Sequence, residues 1–326
     1  TGATRDGRLV ARRARLVLDK GAYCGEGGFL GQMAAMHACG PYQIDNVFVE
    51  SFLNYTNQQP SGSVRAPTAP QVCWGLEQHM DEVAEGLGID PVELRRRTLI
   101  EKGAEGPTRQ IFDEIGVKQT LERAVEMIGY ERELPEDEAI GVAVGWWPSS
   151  AAASGAYIHL NGDGSGTIVT GAQENGSGAV MAMPTFVAEE LGMDPENFTL
   201  LYQDTAAANW DMGSCGSQTT VNSGRAILAA AADVRDQLLD AAATELEADR
   251  GDLELVESHV RVKGSPGRSV SIADLASAGT IHGKGSGEVP DTPTGDTGGC
   301  VGRIGNETFA APQLITQAAH VKAWGS

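Results

Sequence analysis

Three loops in this sequence carry residue types that suit the binding of an anionic ligand. Two are glycine-rich: residues 173–178 (QENGSG) and residues 213–220 (GSCGSQTT), each placed between a predicted strand and the start of a helix. Glycines let a backbone approach a ligand, and amide N–H groups near a helix start attract anions. In the third loop, GSVRAPTAP, prolines flank Arg65 and restrict the chain that presents its guanidinium.

Each of these loops also has a plainer interpretation. The two glycine-rich loops lack the G-x-x-x-x-G-K-[ST] and G-x-G-x-x-G spacings of nucleotide-binding motifs, and Ser and Asn also favour helix caps. Arg65 also fits an exposed turn. Cys215 suggests a nucleophile with His79, His159 or His282 as base, although no hydrolase signature surrounds it. Glu288 in KGSGEVP suggests a general base or a solvated carboxylate. No histidine pair has metal-ligand spacing, so no protein-ligated metal is expected.

Hydrophobic periodicity predicts the elements that position the arginine loop. Alternation predicts strands in LVARRARLVLDKGAY and NVFVESFLNYTNQ, and helical spacing in APQVCWGLEQHMDEVAEGLG predicts a helix that ends at Gly88. A second helix, in VKQTLERAVEMIG, leads into the acidic segment YERELPEDEAIG. We expect this segment to join two lobes, residues 1–134 and residues 135–326.

The second lobe is predicted to place the glycine-rich loops between strands and helices. A hairpin in GAYIHLNGDGSGTIVTGA precedes a loop, a helix and a strand, and SGRAILAAAADVRDQLLDAAATELEA predicts a helix of about six turns. Another hairpin is predicted in LELVESHVRVKG, and the composition of residues 283–305 predicts a long loop. The sequences LGIDP and LGMDP, which follow two helices, indicate an internal duplication or a common helix stop.

Composition excludes several classes of partner. The 326 residues include 24 Lys plus Arg against 44 Asp plus Glu, a formal charge of −20, which argues against nucleic acid and anionic membranes. No apolar run approaches the roughly 18 residues of a membrane span. Five single cysteines suit a reducing compartment, so a cytoplasmic location is expected. The abrupt start without methionine suggests an excised piece of a longer polypeptide.

In their order along the chain, these segments resemble the molybdenum-binding subunit of the molybdenum hydroxylases, the family of xanthine dehydrogenase, aldehyde oxidase and carbon monoxide dehydrogenase. The resemblance rests on SVRAPTAPQVCWGLEQHMDEVAEGLGIDPVELRRRTL, TGAQENGSGAVMAMPTFVAEELGMDPENFTLLYQDT and GSCGSQTTVNSGRAIL, and it runs over nearly the whole chain. It implies an α+β fold: two lobes of mixed β-sheet with packed helices and an internal duplication. The positions that match cofactor-lining loops of the family are Arg65, Ala66, Gly176, Ser177, Gly178, Gly216, Ser217, Gln218 and Thr219.

Three positions depart from the family pattern. Ser177 stands where the family commonly has a glutamine, so direct contact with the metal's oxygen ligand is not expected. Ala66 follows Arg65 where carbon monoxide dehydrogenases have a copper-binding cysteine, which disfavours that activity. Met33 stands where xanthine-specific members have a substrate arginine, which disfavours that mode of purine recognition. The glutamate that serves as general base and an upstream glycine-rich motif are expected outside this chain.

The resemblance implies an oxidoreductase that hydroxylates an aldehyde or N-heterocycle with oxygen derived from water. Its cofactor would be molybdopterin with molybdenum, with the cytosine dinucleotide as one possible form. Its partners would be the remainder of the same subunit, iron-sulfur and FAD subunits or domains, and a small-molecule substrate. We expect the fragment alone to be inactive and without cofactor. The alternative, favoured by Ser177, is a non-catalytic homologue that acts as a binding or scaffold module.

Overall fold

A computed structural model describes residues 1–106, 111–112, 115–150, 153–202, 204–287 and 309–322. The described residues form two compact units, one of residues 1–148 and 309–322 and the other of residues 149–287. Within those ranges, every helix is too short or too polar to cross a membrane. Mixed sheets with packed helices occur in the chain, which confirms the predicted α+β class.

The first unit begins with two parallel strands joined by a helix. The elements are β1 (Gly2–Ala3), β2 (Leu9–Gly21), α1 (Gly27–His37) and β3 (Asn46–Tyr55). The sheet order is β1-β2-β3, with β1 antiparallel and β3 parallel to β2. Both strands predicted from alternation are therefore confirmed, and α1 forms the crossover that a parallel pair requires.

Three helices and a strand follow in the first unit: α2 (Ala69–Leu87), α3 (Pro91–Thr98), α4 (Val117–Ile128) and β4 (Glu138–Ser150). The helix α2 ends as predicted, because Gly88 adopts the left-handed conformation with φ 66°. The carboxylate of Asp90 then accepts hydrogen bonds from the N–H groups of Val92 and Glu93, both at 2.9 Å, and so begins α3.

A buried ion-pair network joins α2, α3 and β4. The side chain of Arg95 is fully buried, and its Nε donates to Glu77 at 3.0 Å while its Nη1 donates to Asp81 at 2.7 Å. The Glu77 carboxylate also accepts from the Tyr42 hydroxyl at 2.5 Å and from the Val144 N–H at 2.7 Å. Every carboxylate oxygen of Glu77 therefore has a donor, which is the condition for a buried charge to be tolerated.

His37 is buried in an aromatic cluster of the first unit. Its ring stacks on Trp147 with centroids 5.2 Å apart and an interplanar angle of 10°, and its Nδ1 lies 2.7 Å from the carbonyl oxygen of Met33. Among the described residues its Nε2 has no hydrogen-bond partner. Burial lowers the pKa of His37 from 6.5 to about 4, so the folded protein holds this ring neutral.

This burial predicts a loss of stability in mild acid. Between pH 6.5 and pH 4 the unfolded chain binds a proton at His37 that the folded chain does not, so this contribution to stability falls as pH falls. From pH 7 to pH 5 we expect His37 to lower the free energy of unfolding by about 2 kcal/mol. Urea denaturation at both pH values measures the loss. His37→Phe should reduce it by that amount, and an unchanged loss in this variant would contradict the prediction.

The second unit is built from a four-stranded sheet, a three-stranded sheet and three helices. Its elements are β5 (Ser154–Leu160), β6 (Gly166–Thr170), α5 (Met183–Leu191), β7 (Phe198–Leu201), α6 (Gly224–Glu245), β8 (Leu253–Val256), β9 (His259–Val262), β10 (Ser265–Ser271), α7 (Ile272–Ala278) and β11 (Ile281–Gly287). The larger sheet has the order β11-β5-β6-β7 and the smaller one β10-β9-β8. The last described strand, β12 (Phe309–Lys322), pairs with β4 in the first unit.

The prediction of a long loop over residues 283–305 is wrong at its start, because Gly283, Gly285 and Gly287 belong to β11. A Cβ added at Gly285 would lie 2.0 Å from the carbonyl oxygen of Ala226 in α6. A Cβ added at Gly283 or Gly287 would lie 2.1 or 2.3 Å from the carbonyl oxygens of residues 230 and 222. The glycines therefore serve close packing of a strand on a helix, not loop flexibility. Residues 288–305, including Glu288, lie outside the described residues.

The two units repeat one order of elements. In the first, β2 and β3 are parallel, α1 joins them and α2 follows. In the second, β6 and β7 are parallel, α5 joins them and α6 follows. The repeated order of elements fits the internal duplication expected from the sequence. The similar helix ends do not follow this order, because Gly88 and Asp90 follow α2 whereas Gly192 and Asp194 follow α5, the counterpart of α1. They fit the other interpretation, a common helix stop.

Candidate functional site

The first glycine-rich loop is held by a carboxylate of its own. One oxygen of Glu174 accepts hydrogen bonds from the N–H groups of Gly176 at 2.7 Å and Gly178 at 2.9 Å, and the other accepts from Val180 at 3.2 Å. Hydrogen bonds from these N–H groups, that of Gly178 foremost, lower the pKa of Glu174. Both glycines have positive φ, 93° and 78°, which brings successive N–H groups to one side.

This arrangement changes the role expected for the loop. The amides of Gly176 and Gly178 were expected to be available to an anion, but the Glu174 carboxylate already occupies them. The side chain of Ser177 is exposed at the tip of the loop, with its hydroxyl 3.5 Å from the same carboxylate. The loop is therefore preformed, and it can offer a ligand its Ser177 side chain without reorganising its backbone.

Asp211 organises the second glycine-rich loop in a related way. Its Oδ1 accepts from the Gly213 N–H at 2.8 Å, and its Oδ2 accepts from the hydroxyls of Ser154 at 2.6 Å and Ser223 at 2.9 Å. Ser154 begins β5 and Ser223 ends a π-helical turn, residues Thr219–Ser223, that leads into α6. One carboxylate therefore fixes the loop to both the sheet and the long helix, and π-helical turns of this kind often occur at functional sites.

Two buried polar side chains close the second loop from within. Gln218 is 2% exposed, and its amide nitrogen donates to the Gly213 carbonyl at 2.6 Å while its amide oxygen accepts from Asn222 at 2.8 Å. Thr219 donates to the Ser214 hydroxyl at 2.8 Å, and Ser214 donates to the carbonyl of Gln173 at 2.6 Å. The two glycine-rich loops, separate in sequence, are thus joined through Ser214.

The tip of the second loop keeps donors available. Ser217 has φ 57°, a left-handed backbone conformation that residues other than glycine rarely adopt. Gly216 beside it has φ 65°. Neither residue's N–H donates to another described residue. Of the four cofactor-lining positions expected here, Gln218 and Thr219 therefore shape the loop, whereas the N–H groups of Gly216 and Ser217 have no acceptor among the described residues.

Arg65 lies in the first unit, on a strained loop at the border of a cavity of about 640 Å³. The neighbouring Ala66 and Thr68 have φ of 56° and 67°, and α2 begins at Ala69. Among the described residues Arg65 has no hydrogen-bond or ion-pair partner, and its side chain is exposed. Its five N–H donors are therefore free to meet an anionic group.

The geometry gives little support to the cysteine-nucleophile interpretation. Cys215 lies beside Gln218, whose amide nitrogen is 3.9 Å from its sulfur. Two of the suggested bases, His159 and His282, face each other across β5 and β11. His159 lies five residues along β5 from Ser154, so at the usual strand rise these two residues are about 17 Å apart. Ser154 is the residue of β5 that contacts Asp211 in the loop of Cys215. Across the described parts of the chain, no three His, Cys, Asp or Glu side chains are grouped to hold a metal ion.

Glu174, Asp211 and Ser214 were not singled out from the sequence. A local signal did exist, because both loops contain an acidic residue two positions before a glycine, Glu174 before Gly176 and Asp211 before Gly213. An acidic side chain that accepts from the N–H two residues later is a common turn device. Ser214 had no such signal, since its partner is 41 residues away in the chain.

Family models match the parts of the chain that contain these loops. Two family models described as molybdopterin cofactor-binding domain match residues 1–99 and 118–302. Thus both glycine-rich loops and Arg65 lie in matched regions. These ranges do not test the lobe boundary expected after residue 134, which stays a prediction.

Curated relatives extend well beyond this chain. The xanthine dehydrogenase molybdenum-binding subunit of Escherichia coli is 27% identical over 297 residues, which cover 86% of this chain and 40% of the relative. The nicotinate dehydrogenase large molybdopterin subunit of Eubacterium barkeri is 38% identical over 137 residues, 40% of this chain and 32% of the relative. The chain therefore spans about two fifths or less of the length of these relatives.

Solved structures share the fold. Carbon monoxide dehydrogenase from Oligotropha carboxidovorans superposes with a TM-score of 0.76 at 21% identity, over 89% of this chain and 42% of that one. Aldehyde oxidoreductase from Desulfovibrio gigas gives 0.72 at 24% identity, over 98% and 34%. With both domain models matched in order, the chain belongs to the molybdopterin cofactor-binding domain family of the molybdenum hydroxylases.

Proposed function

We propose that this chain is part of the molybdopterin-binding subunit of a molybdenum hydroxylase-type oxidoreductase. The full-length protein would hydroxylate an aldehyde or N-heterocycle with oxygen derived from water. The observation that carries the proposal is the pair of joined glycine-rich loops, 173–178 and 213–220, within a matched molybdopterin cofactor-binding domain. Iron-sulfur and FAD subunits or domains and the rest of the same subunit would complete the enzyme.

The residues present fit an anionic pterin cofactor. The N–H groups of Gly216 and Ser217 precede a helix, where backbone donors and the helix dipole favour phosphate. The Arg65 guanidinium, which lacks an anionic partner among the described residues, suits an anionic group of the cofactor. When bound, the molybdenum cofactor supplies the two-electron redox centre of the reaction.

The chain's own residues would then bind and orient this group. Glu174 and Asp211 hold their loops in the binding conformation before the cofactor arrives, which reduces the entropy lost on binding. The side chain of Ser177 is shorter than that of the glutamine common in the family. We therefore propose that the Ser177 hydroxyl would contact the metal's ligands through a water molecule. We propose the cytosine dinucleotide form as one possible form of the pterin.

Molybdenum and pterin content of the full-length protein tests the proposal. We expect both in stoichiometric amount in the wild type, and neither in residues 1–326 alone. The Arg65→Ala variant should retain about 10-fold less cofactor after dialysis, since a hydrogen bond to a charged group contributes about 1.5–3 kcal/mol. Arg123→Ala is the matched control, because Arg123 is exposed and pairs only with Glu126 of its own helix among the described residues.

The second candidate function is a non-catalytic binding or scaffold module. It is favoured by Ser177, where the family commonly has a glutamine. Under this alternative the full-length protein, produced together with its partner subunits, contains neither molybdenum nor pterin. That result would overturn the proposed oxidoreductase, whereas a loaded protein would exclude the alternative.

A further inference from the structure

The loop that carries Arg65 lies against the end of β2. The N–H of Ser61 donates to the carbonyl oxygen of Lys20 at 3.2 Å. One residue further along, Gly21 has φ 69°, and a Cβ there would lie 2.3 Å from the carbonyl oxygen of Gln59. The two stretches of chain are therefore in backbone contact, which only a glycine at position 21 permits.

The Lys20 side chain makes a second connection to this loop. It is 2% exposed, and its Nζ donates to the carbonyl oxygen of Ser61 at 2.9 Å and to the Ser61 hydroxyl at 3.1 Å. Gly27, the first residue of α1, makes room for it, because a Cβ there would lie 2.8 Å from Lys20 Cε. Within the described part of the chain no carboxylate forms an ion pair with this ammonium. Burying such a charge is unfavourable, so a contribution to stability does not explain Lys20.

A carboxylate holds the loop closer to Arg65. The Oε2 atom of Glu26, the residue before α1, accepts a hydrogen bond from the N–H of Ser63 at 2.8 Å. Hydrogen bonds from Ser63, and to a smaller extent the charge of Lys20, lower the pKa of Glu26. The loop is thus held at two points, Ser61 and Ser63, by two residues from the turn that joins β2 to α1.

On its other side Arg65 is followed directly by the start of α2. The N–H of Ala69, the first residue of this helix, donates to the carbonyl oxygen of Ala66 at 3.1 Å. The backbone of Arg65 is therefore confined between Ser63 and the first turn of α2. A side chain loses less freedom on binding an anion when the backbone that presents it is already fixed.

We propose that Lys20 and Glu26 are positioning residues for anion binding by Arg65. The inference rests on the proposed function, in which the Arg65 guanidinium binds an anionic group of the cofactor. Lys20 acts through the loop, because its side chain is buried and both of its hydrogen bonds go to Ser61. Glu26 acts in the same way through Ser63. Together they fix the direction of the guanidinium before the cofactor binds.

Cofactor retention in the full-length protein, produced with its partner subunits, tests the role of Lys20. Lys20→Met keeps a side chain of similar length and removes both hydrogen bonds to Ser61. We expect this variant to retain about 5-fold less molybdenum and pterin after dialysis, a change typical of a lost hydrogen bond. Lys118→Met is the matched control, because Lys118 is partly exposed and pairs with Glu101, outside this loop.

A double-mutant cycle separates positioning from a general effect on the fold. In a protein that already carries Arg65→Ala, neither Lys20→Met nor Glu26→Ala should cause a further loss of cofactor. A further 5-fold loss would overturn the inference, because it would show action independent of Arg65. The urea midpoint of the cofactor-free protein should not fall in Lys20→Met, since methionine removes a buried charge. A lower midpoint would assign Lys20 a structural role instead.

Hydrogen exchange of the loop keeps this inference separate from the proposed function. In the cofactor-free full-length protein, Lys20→Met should speed exchange of the Ser61 and Ser63 amides about 5-fold. The Gly178 amide, which donates to Glu174, should be unaffected. Unchanged exchange at Ser61 and Ser63 would refute this inference alone. Faster exchange, together with a wild-type protein that contains no cofactor, would refute the proposed function alone.

Discussion

Replacement of Arg95 by alanine is expected to lower the free energy of unfolding by about 3–5 kcal/mol, because it leaves the buried Glu77 carboxylate without its cation. The guanidinium is fully buried and also donates to Asp81 and to the carbonyls of Pro91 and Glu77. All of these acceptors would lose a donor at once. Urea denaturation at pH 7 measures the change.

The neighbouring arginine provides the matched control. Arg96 makes two hydrogen bonds to Glu122, at 2.8 and 2.9 Å, but both side chains are partly exposed. Solvent screens such a pair, so Arg96→Ala should cost less than about 1 kcal/mol. Equal losses in the two variants would show that burial of the Arg95 network does not decide its contribution.

The second large effect is expected at Gly285. An alanine there would place its Cβ 2.0 Å from the Ala226 carbonyl oxygen and 2.5 Å from the Ala230 nitrogen, so β11 and α6 must separate. Overpacking of this kind costs about 3 kcal/mol, and more where backbone must move. The midpoint of thermal or urea unfolding should fall accordingly.

Gly267→Ala serves as its control within the same unit. Gly267 lies in β10, and a Cβ there meets nothing within 4 Å. We expect this variant to be neutral or more stable by up to about 1 kcal/mol, since alanine restricts the unfolded chain. A Gly285→Ala variant as stable as Gly267→Ala would show that β11 and α6 can adjust without cost.

Most elements of the fold followed from short-range patterns. The strands β2 and β3, the helices α2, α4 and α6, and the hairpins of β5 with β6 and of β8 with β9 were all predicted from periodicity and are confirmed. These patterns are informative because hydrophobic spacing and helix stop signals act within a few residues. Gly88 shows this directly, since a glycine with φ 66° ends α2 where the sequence placed the stop.

The glycines of β11 show where such patterns fail. A run of alternating glycines is typical of a loop by composition, yet Gly283, Gly285 and Gly287 form a strand because α6, some 55 residues earlier, packs against their Cα atoms. A flexible loop and a strand packed closely on a helix can both be rich in glycine. Only the partner distinguishes flexibility from close approach.

Short-range patterns in the sequence indicated the class of the chain, most of its helices and strands, and which loops are candidates for binding an anionic cofactor. The partners of each loop group came from tertiary contacts. Glu174 and Asp211 accept from N–H groups of their own loops, Ser214 joins the two loops, and the N–H groups of Gly216 and Ser217 have no acceptor among the described residues. The reason is that a hydrogen bond satisfies a donor only when its acceptor is brought within about 3 Å, and for distant residues that depends on packing of the whole unit.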